Sequence, residues 1–131
     1  VIIVCADIED QIMGLQKKDR DDFMIESGIK NTGLNNLIKT GYKTLGLSTF
    51  FTSGPEESRA WTIEINSKAP EAAGVIHTDF KKKFIRAETV SHEDFIKYKG
   101  FNECKNIGKL RLEGKDYAVQ DGDVMFFRTG A

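Results

Sequence analysis

Apolar positions change their period several times along this chain, and each change marks an element. The run Val1-Ile2-Ile3-Val4-Cys5-Ala6 is apolar without alternation, the pattern of a strand buried on both faces. Such strands lie inside parallel sheets, yet no later stretch supplies a βαβ partner, so the chain reads as a fragment of a larger fold. Residues 17–29 set Phe23, Met24 and Ile25 among charges and reach Gly28, which predicts a short surface helix with a glycine at its end. Asn31 or Thr32 then caps a second helix, with Leu34, Leu37, Ile38, Gly41, Tyr42 and Leu45 on one face and Gly46 at its end.

From Leu47 the period shortens to two. Residues 48–52 and 59–65 predict a hairpin, with the turn at Ser53-Gly54-Pro55-Glu56-Glu57. Residues 69–80 return to helical spacing. Pro70 suits the first helical position, and Ala69, Ala72, Ala73, Ile76 and Phe80 share one narrow stripe. Three alanines in that stripe allow close approach, so a single helix is expected to lie across a curved sheet. A basic turn leads to a strand over residues 84–90, and Ser91 caps a short helix with Asp94 at the capping-box position. A connector interrupted by Gly108 precedes residues 117–119 and 124–127. These two flank Gln120-Asp121-Gly122-Asp123 and predict a closing hairpin. Hairpin, helix, strand, connector and closing hairpin is the order of a β-grasp, so the fold class expected is α+β.

Composition narrows the function classes. At 131 residues and 40% apolar positions the chain suits one domain, or one small domain with an appendage, and can bury a core. No apolar run approaches the roughly 18 residues that span a bilayer, so no membrane role and a cytoplasmic location are expected. The net charge is −1, with six basic and seven acidic residues before Ser48 and thirteen of each from there on. That balance argues against tight binding to nucleic acid in general but leaves room for a local patch. Cys5 and Cys104 have no CxxC or CxxH companion, so zinc and a redox dithiol are not expected. The acids at 19, 21 and 22 alternate with Lys17, Lys18 and Arg20, as on a solvated helix face, and no metal site is expected there.

Candidate catalysis is sparse. On one continuous helix His77 and Asp79 lie about 160° apart and cannot serve one site. His92 follows a cap and reads as surface. No Ser or Cys stands in a nucleophile context, and no GxxxxGK[ST] occurs, so no catalytic residue is assigned. The concentrated basic patch is Lys81-Lys82-Lys83 with Arg86. It reads either as a solvated turn or as a phosphate-binding surface.

Residues 69–80, Phe84-Ile85-Arg86-Ala87-Glu88, the stretch from Gly108 to Tyr117 and Gln120-Asp121-Gly122-Asp123-Val124-Met125 resemble, in that order, the carboxy-terminal TGS region of the Obg-like ATPase (YchF-type) family. The resemblance implies a β-grasp TGS domain over residues 48–131. Residues 1–47 would then be a strand and two helices left from a P-loop nucleotide-binding domain. It implies that Cys5 and Ala6 match the small pair whose loop passes the nucleotide base. For the full-length protein it implies ATP, or GTP, with Mg²⁺ and hydrolysis; this fragment would hold no cofactor. It gives Lys81, Lys82, Lys83 and Arg86 an RNA or ribosome contact. The family has an acid first and glycine third in the lysine triplet, and closes on Phe-Asn-Val where this chain has Arg128-Thr129-Gly130-Ala131. The alternative reading is a protein-binding β-grasp module without a nucleic-acid role. An apolar N-terminal strand with no partner would add self-association through its edge.

Overall fold

A computed structural model describes residues 1–130, which divide after Leu45 into two compact units. The first holds α1 (Ala6–Gly14), α2 (Lys17–Glu26) and α3 (Gly33–Thr44). The predicted strand at residues 1–6 does not form: residues 1–5 pair with no strand, and Ala6 opens α1, which the apolar run concealed. An isolated strand has no ladder to satisfy its backbone, whereas Asp7 and Glu9 suit the first turn of a helix. The Glu9 carboxylate accepts the Gly33 N–H, and a side chain at Gly33 would press on Val4. Thr32 caps α3 by accepting from the Asn35 N–H at 3.1 Å, as its sequence position predicts. The apolar stripe of α3 is not a buried one; Leu34, Leu37, Ile38 and Leu45 stay exposed.

The second unit is an α+β arrangement around a mixed sheet. In chain order it comprises β1 (Leu47–Ser53), β2 (Ser58–Glu64), α4 (Ala69–Ile76), α5 (Thr78–Lys82), β3 (Phe84–Ser91), α6 (His92–Tyr98), α7 (Phe101–Asn106), β4 (Arg111–Glu113) and β5 (Asp123–Thr129). Among the described residues the sheet has five strands in the order β2-β1-β5-β3-β4. The central pair β1 and β5 is parallel, with Phe51 opposite Val124, and the other pairs are antiparallel.

The alanine stripe of α4 closes the core. Ala69, Ala72 and Ala73 are fully buried against Phe50, Ile63, Phe84, Ala87, Val119 and Met125. Beneath these small side chains the aromatic rings of the sheet pack edge to face, Phe50 against Phe127 at 5.9 Å. Glu71 accepts the Lys68 N–H and completes the helix start that Pro70 favours.

Two expectations fail here. Residues 69–80 are not one helix: His77 is extended (φ −157°, ψ 137°), ends α4 and begins α5. Its Nδ1 accepts the Asp79 N–H at 3.2 Å, a local bond that competes with continuing the helix. Phe80 therefore leaves the stripe and is exposed. Nor is there a closing hairpin. Both edges of β5 are occupied, by β1 and β3, which leaves no ladder for residues 117–119. That segment instead bridges the approach to α4, with Ala69 N–H donating to the Tyr117 carbonyl and Val119 N–H to the Ser67 carbonyl, each at 2.9 Å. The Asp121-Gly122 turn serves β1: Asp121 accepts the Thr49 N–H at 2.8 Å, and Gly122 adopts φ +84°, which suits glycine.

Candidate functional site

The lysine triplet is part of a helix end rather than a loose turn. Lys81 and Lys82 form the last turn of α5, where cations face the carbonyl end of the helix. Lys83 is its C-cap at φ −97°, a conformation that needs no glycine, so the departure from the family triplet leaves the backbone unstrained. The Lys83 carbonyl accepts the Gly130 N–H at 2.8 Å. The Lys81 stem lies over Gly74, where a Cβ would meet the Lys81 Cβ at 3.1 Å. Lys81 and Lys82 thereby line a groove of about 950 Å³ beside α4, whose other walls include Leu47, Ile63, Glu64 and Glu71. Two acids and two lysines make this a mixed surface.

Arg86 does not join them. Simple alternation puts Arg86 with Phe84, but the ladder between β3 and β5 shifts register between these two residues. Phe84 and Ala87 both enter the core beneath α4, so Arg86, next to Ala87, points to the opposite face. It pairs across the ladder with Arg128. The structure thus brings Lys81 and Lys82 together and puts Arg86 on the outer face of the sheet.

The break at His77 changes another reading. With the helix ended there, His77 Nδ1 and Asp79 Oδ2 come within 3.8 Å. Both side chains are mostly exposed, and the His77 Nδ1 is engaged by the Asp79 backbone N–H at the cap of α5, so the pair is a local one. His92 is exposed as expected, its ring 5.3 Å from that of Phe51. In the first unit Cys5 is the exposed N-cap of α1, its side chain capping nothing, and Ala6 is the first helical residue. Cys104 is buried; burial, then Asp94 and Glu103, push its thiol above the ordinary range. Among the described residues no group of three or more His, Cys, Asp or Glu converges as a metal site would require.

The polar cluster that the sequence did not reveal is Arg111, Tyr117 and Asp123. Asp123 is 3% exposed, and its carboxylate accepts from the Tyr117 hydroxyl at 2.7 Å, Arg111 at 3.0 Å and the Gln120 N–H at 2.9 Å. Arg111 also donates to the Tyr117 hydroxyl at 3.1 Å. Burial and then the bond to Asp123 hold the phenol well above its ordinary pKa. Three donors satisfy the buried charge, which anchors β4 and the 117–119 segment to the start of β5. A cavity of about 660 Å³ adjoins this cluster, with His92, Asp94, Lys109 and Asp121 among its walls.

Comparison with known proteins places this arrangement. The family YchF-GTPase_C, described as a protein of unknown function (DUF933), matches residues 47–130. Over 127 residues, 97% of this chain, it is 57% identical to the ribosome-binding ATPase YchF of Escherichia coli O157:H7, covering 35% of that protein. It is 53% identical to the ribosome-binding ATPase YchF of Bacillus subtilis over 128 residues, 98% of this chain and 35% of that one. The solved structure of the Schizosaccharomyces pombe YchF GTPase superposes with a TM-score of 0.76 at 35% identity, over 95% of this chain and 33% of that one. The chain thus spans about a third of the length of the relatives it matches. With the family match running from the first strand to the end of the last, the chain belongs to the YchF-GTPase C-terminal family.

Proposed function

We propose that this chain is the carboxy-terminal part of a ribosome-binding ATPase of the YchF type and contributes to ribosome contact. The observation that carries the reading is the 57% identity, over 97% of the chain, to a protein bearing that name. Residues 48–131 are read as a TGS domain of β-grasp form. The support is the sheet order β2-β1-β5-β3-β4, its parallel central pair and one main helix crossing the sheet. Residues 1–47 are read as the remnant of a nucleotide-binding domain, with Cys5 and Ala6 beside the base.

ATP or GTP with Mg²⁺ belongs, in this reading, to the part of the relatives that this chain does not span. The residues present do not fit a triphosphate: no GxxxxGK[ST] occurs, and Cys5 and Ala6 offer a single exposed helix start. Hydrolysis is therefore not assigned to this chain alone. Its cellular place follows the ribosome, in the cytoplasm, and no described helix is long and apolar enough to cross a membrane.

The ribosome contact is assigned to Lys81, Lys82 and Lys83 at the end of α5, and to Arg86 on the other face. Co-sedimentation of the purified chain with ribosomes tests this. Binding that weakens with salt and falls when Lys81, Lys82 and Lys83 are replaced by Ala supports it; a folded chain that stays in the supernatant at low salt overturns it.

A further inference from the structure

The cavity of about 660 Å³ beside Asp123 has walls of both charge signs, and part of that charge is unanswered within the chain. Its back is a fixed scaffold, because the buried Asp123 carboxylate is satisfied by Arg111, Tyr117 and the Gln120 N–H and holds Arg111 in place. Three other wall groups keep bonding capacity. Lys109 Nζ comes no closer than 3.9 Å to Asp94 Oδ2, which already accepts from the Ser91 hydroxyl, and among the described residues Nζ makes no hydrogen bond. Asp121 accepts the Thr49 N–H through Oδ1, but its Oδ2 and the Glu93 carboxylate have no partner among the described residues. Asp121 stands against β1 and Lys109 leads into β4, with β5 and β3 between those strands, so the opposite charges enter from opposite sides. The Phe51 and His92 rings, 5.3 Å apart, supply an aromatic wall. A bond from the His92 N–H to the Gly122 carbonyl at 2.9 Å fixes that wall beside the Asp121 turn.

We propose that this cavity binds a free amino acid with an aromatic side chain. Lys109 receives the α-carboxylate, Asp121 and Glu93 receive the α-ammonium, and the ligand ring packs on the Phe51–His92 pair. A plain anion leaves the two acids unanswered and is repelled by them. A plain cation leaves Lys109 unanswered in the same way, so the complement of these walls carries both signs. The volume is that of a small-molecule site, with few polar groups held on a rigid back wall. A phosphate backbone would meet four carboxylates here, Glu93, Asp94, Asp121 and Asp123. The site is therefore independent of the ribosomal reading and shares no residue with Lys81, Lys82, Lys83 or Arg86.

The test titrates the isotope-labelled full chain with L-phenylalanine and follows its backbone amide resonances. Shifts are expected at His92, Lys109, Asp121 and Gly122. L-phenylalaninamide lacks the carboxylate and N-acetyl-L-phenylalanine lacks the ammonium. Each is expected to bind roughly 10- to 100-fold more weakly, the loss that one charge-assisted contact brings. Lys109→Met is expected to weaken L-phenylalanine by the same factor and to leave the amide unchanged. Asp121→Asn, which keeps an oxygen for the Thr49 N–H, is expected to weaken L-phenylalanine and to leave the N-acetyl compound unchanged. Lys109 is on the surface, so its variant keeps the fold even where Asp121→Asn does not. No shifts at millimolar L-phenylalanine, or shifts centred outside this cavity, overturn the proposal. So does equal binding of either blocked compound, or unchanged affinity for L-phenylalanine in Lys109→Met. Glycine that binds as tightly as L-phenylalanine overturns the role of the aromatic wall.

Discussion

Asp123 sits where loss of one carboxylate unties three contacts at once, from Arg111, Tyr117 and the Gln120 backbone. Removing one side of a buried charge network leaves its donors without a partner, so Asp123→Ala is expected to cost about 3 kcal/mol in urea unfolding. Tyr117→Phe removes only the hydroxyl and is expected to cost about 1–2 kcal/mol. The phenol also gives this cluster a pH signature. Its pKa is raised in the folded chain by burial and the bond to Asp123, so the folded state holds the proton that the unfolded chain gives up near pH 10. The stabilisation is complete below about pH 10 and is lost as pH climbs through the raised value. Unfolding measured from pH 8 upward is expected to show wild type losing its margin over Tyr117→Phe; a constant margin overturns the assignment. Nothing in the spacing of Arg111, Tyr117 and Asp123 announces this cluster, because neither helical nor strand period links them. The topology alone brings them together.

Helix α4 shows how far a periodic pattern reaches and what stops it. The stripe is correct through Ile76, because burial of Ala69, Ala72 and Ala73 enforces the 3.6-residue period. It fails one turn later, because His77 caps the next helix with its own ring nitrogen. Fully buried alanines facing Phe50 and Met125 leave no room for growth, so Ala73→Leu is expected to cost about 1–3 kcal/mol by overpacking. Val75, on the exposed side of the same helix, is the control: Val75→Ala is expected to change stability by less than about 0.5 kcal/mol. Equal effects from the two in denaturant unfolding would overturn the orientation of α4. The first hairpin was legible for a similar reason, since alternation and turn residues are both local. The position of β5 was not. An Asp-Gly turn signals reversal, but which strand receives the chain afterwards depends on edges that only the assembled sheet defines.

Across the second unit the basic residues divide between two surfaces, and that division has a measurable consequence. Sequence proximity groups Lys81, Lys82, Lys83 and Arg86 into one patch, and a strand of perfect alternation leaves Arg86 on the core side with Phe84. The register shift between Phe84 and Arg86 turns Arg86 outward to Arg128, while Lys81 and Lys82 line the groove beside α4. The sheet lies between them, and a helix packed on a sheet adds about 10 Å to that separation. Groups so placed share no partner, so their effects on binding should add. Replacing Lys81 and Lys82 by Ala is expected to lower the salt slope of ribosome binding by up to about 1.8 if both meet duplex phosphates. Arg86→Gln is expected to take away about 0.7 more if it meets a single strand. In the triple variant the losses in binding free energy should sum to within about 0.5 kcal/mol. A coupling well beyond that, in a cycle of folded variants read by ribosome co-sedimentation, would mean one anion spans both groups. Arg86 would then have to reach the lysine groove, and its placement on the outer face would be wrong.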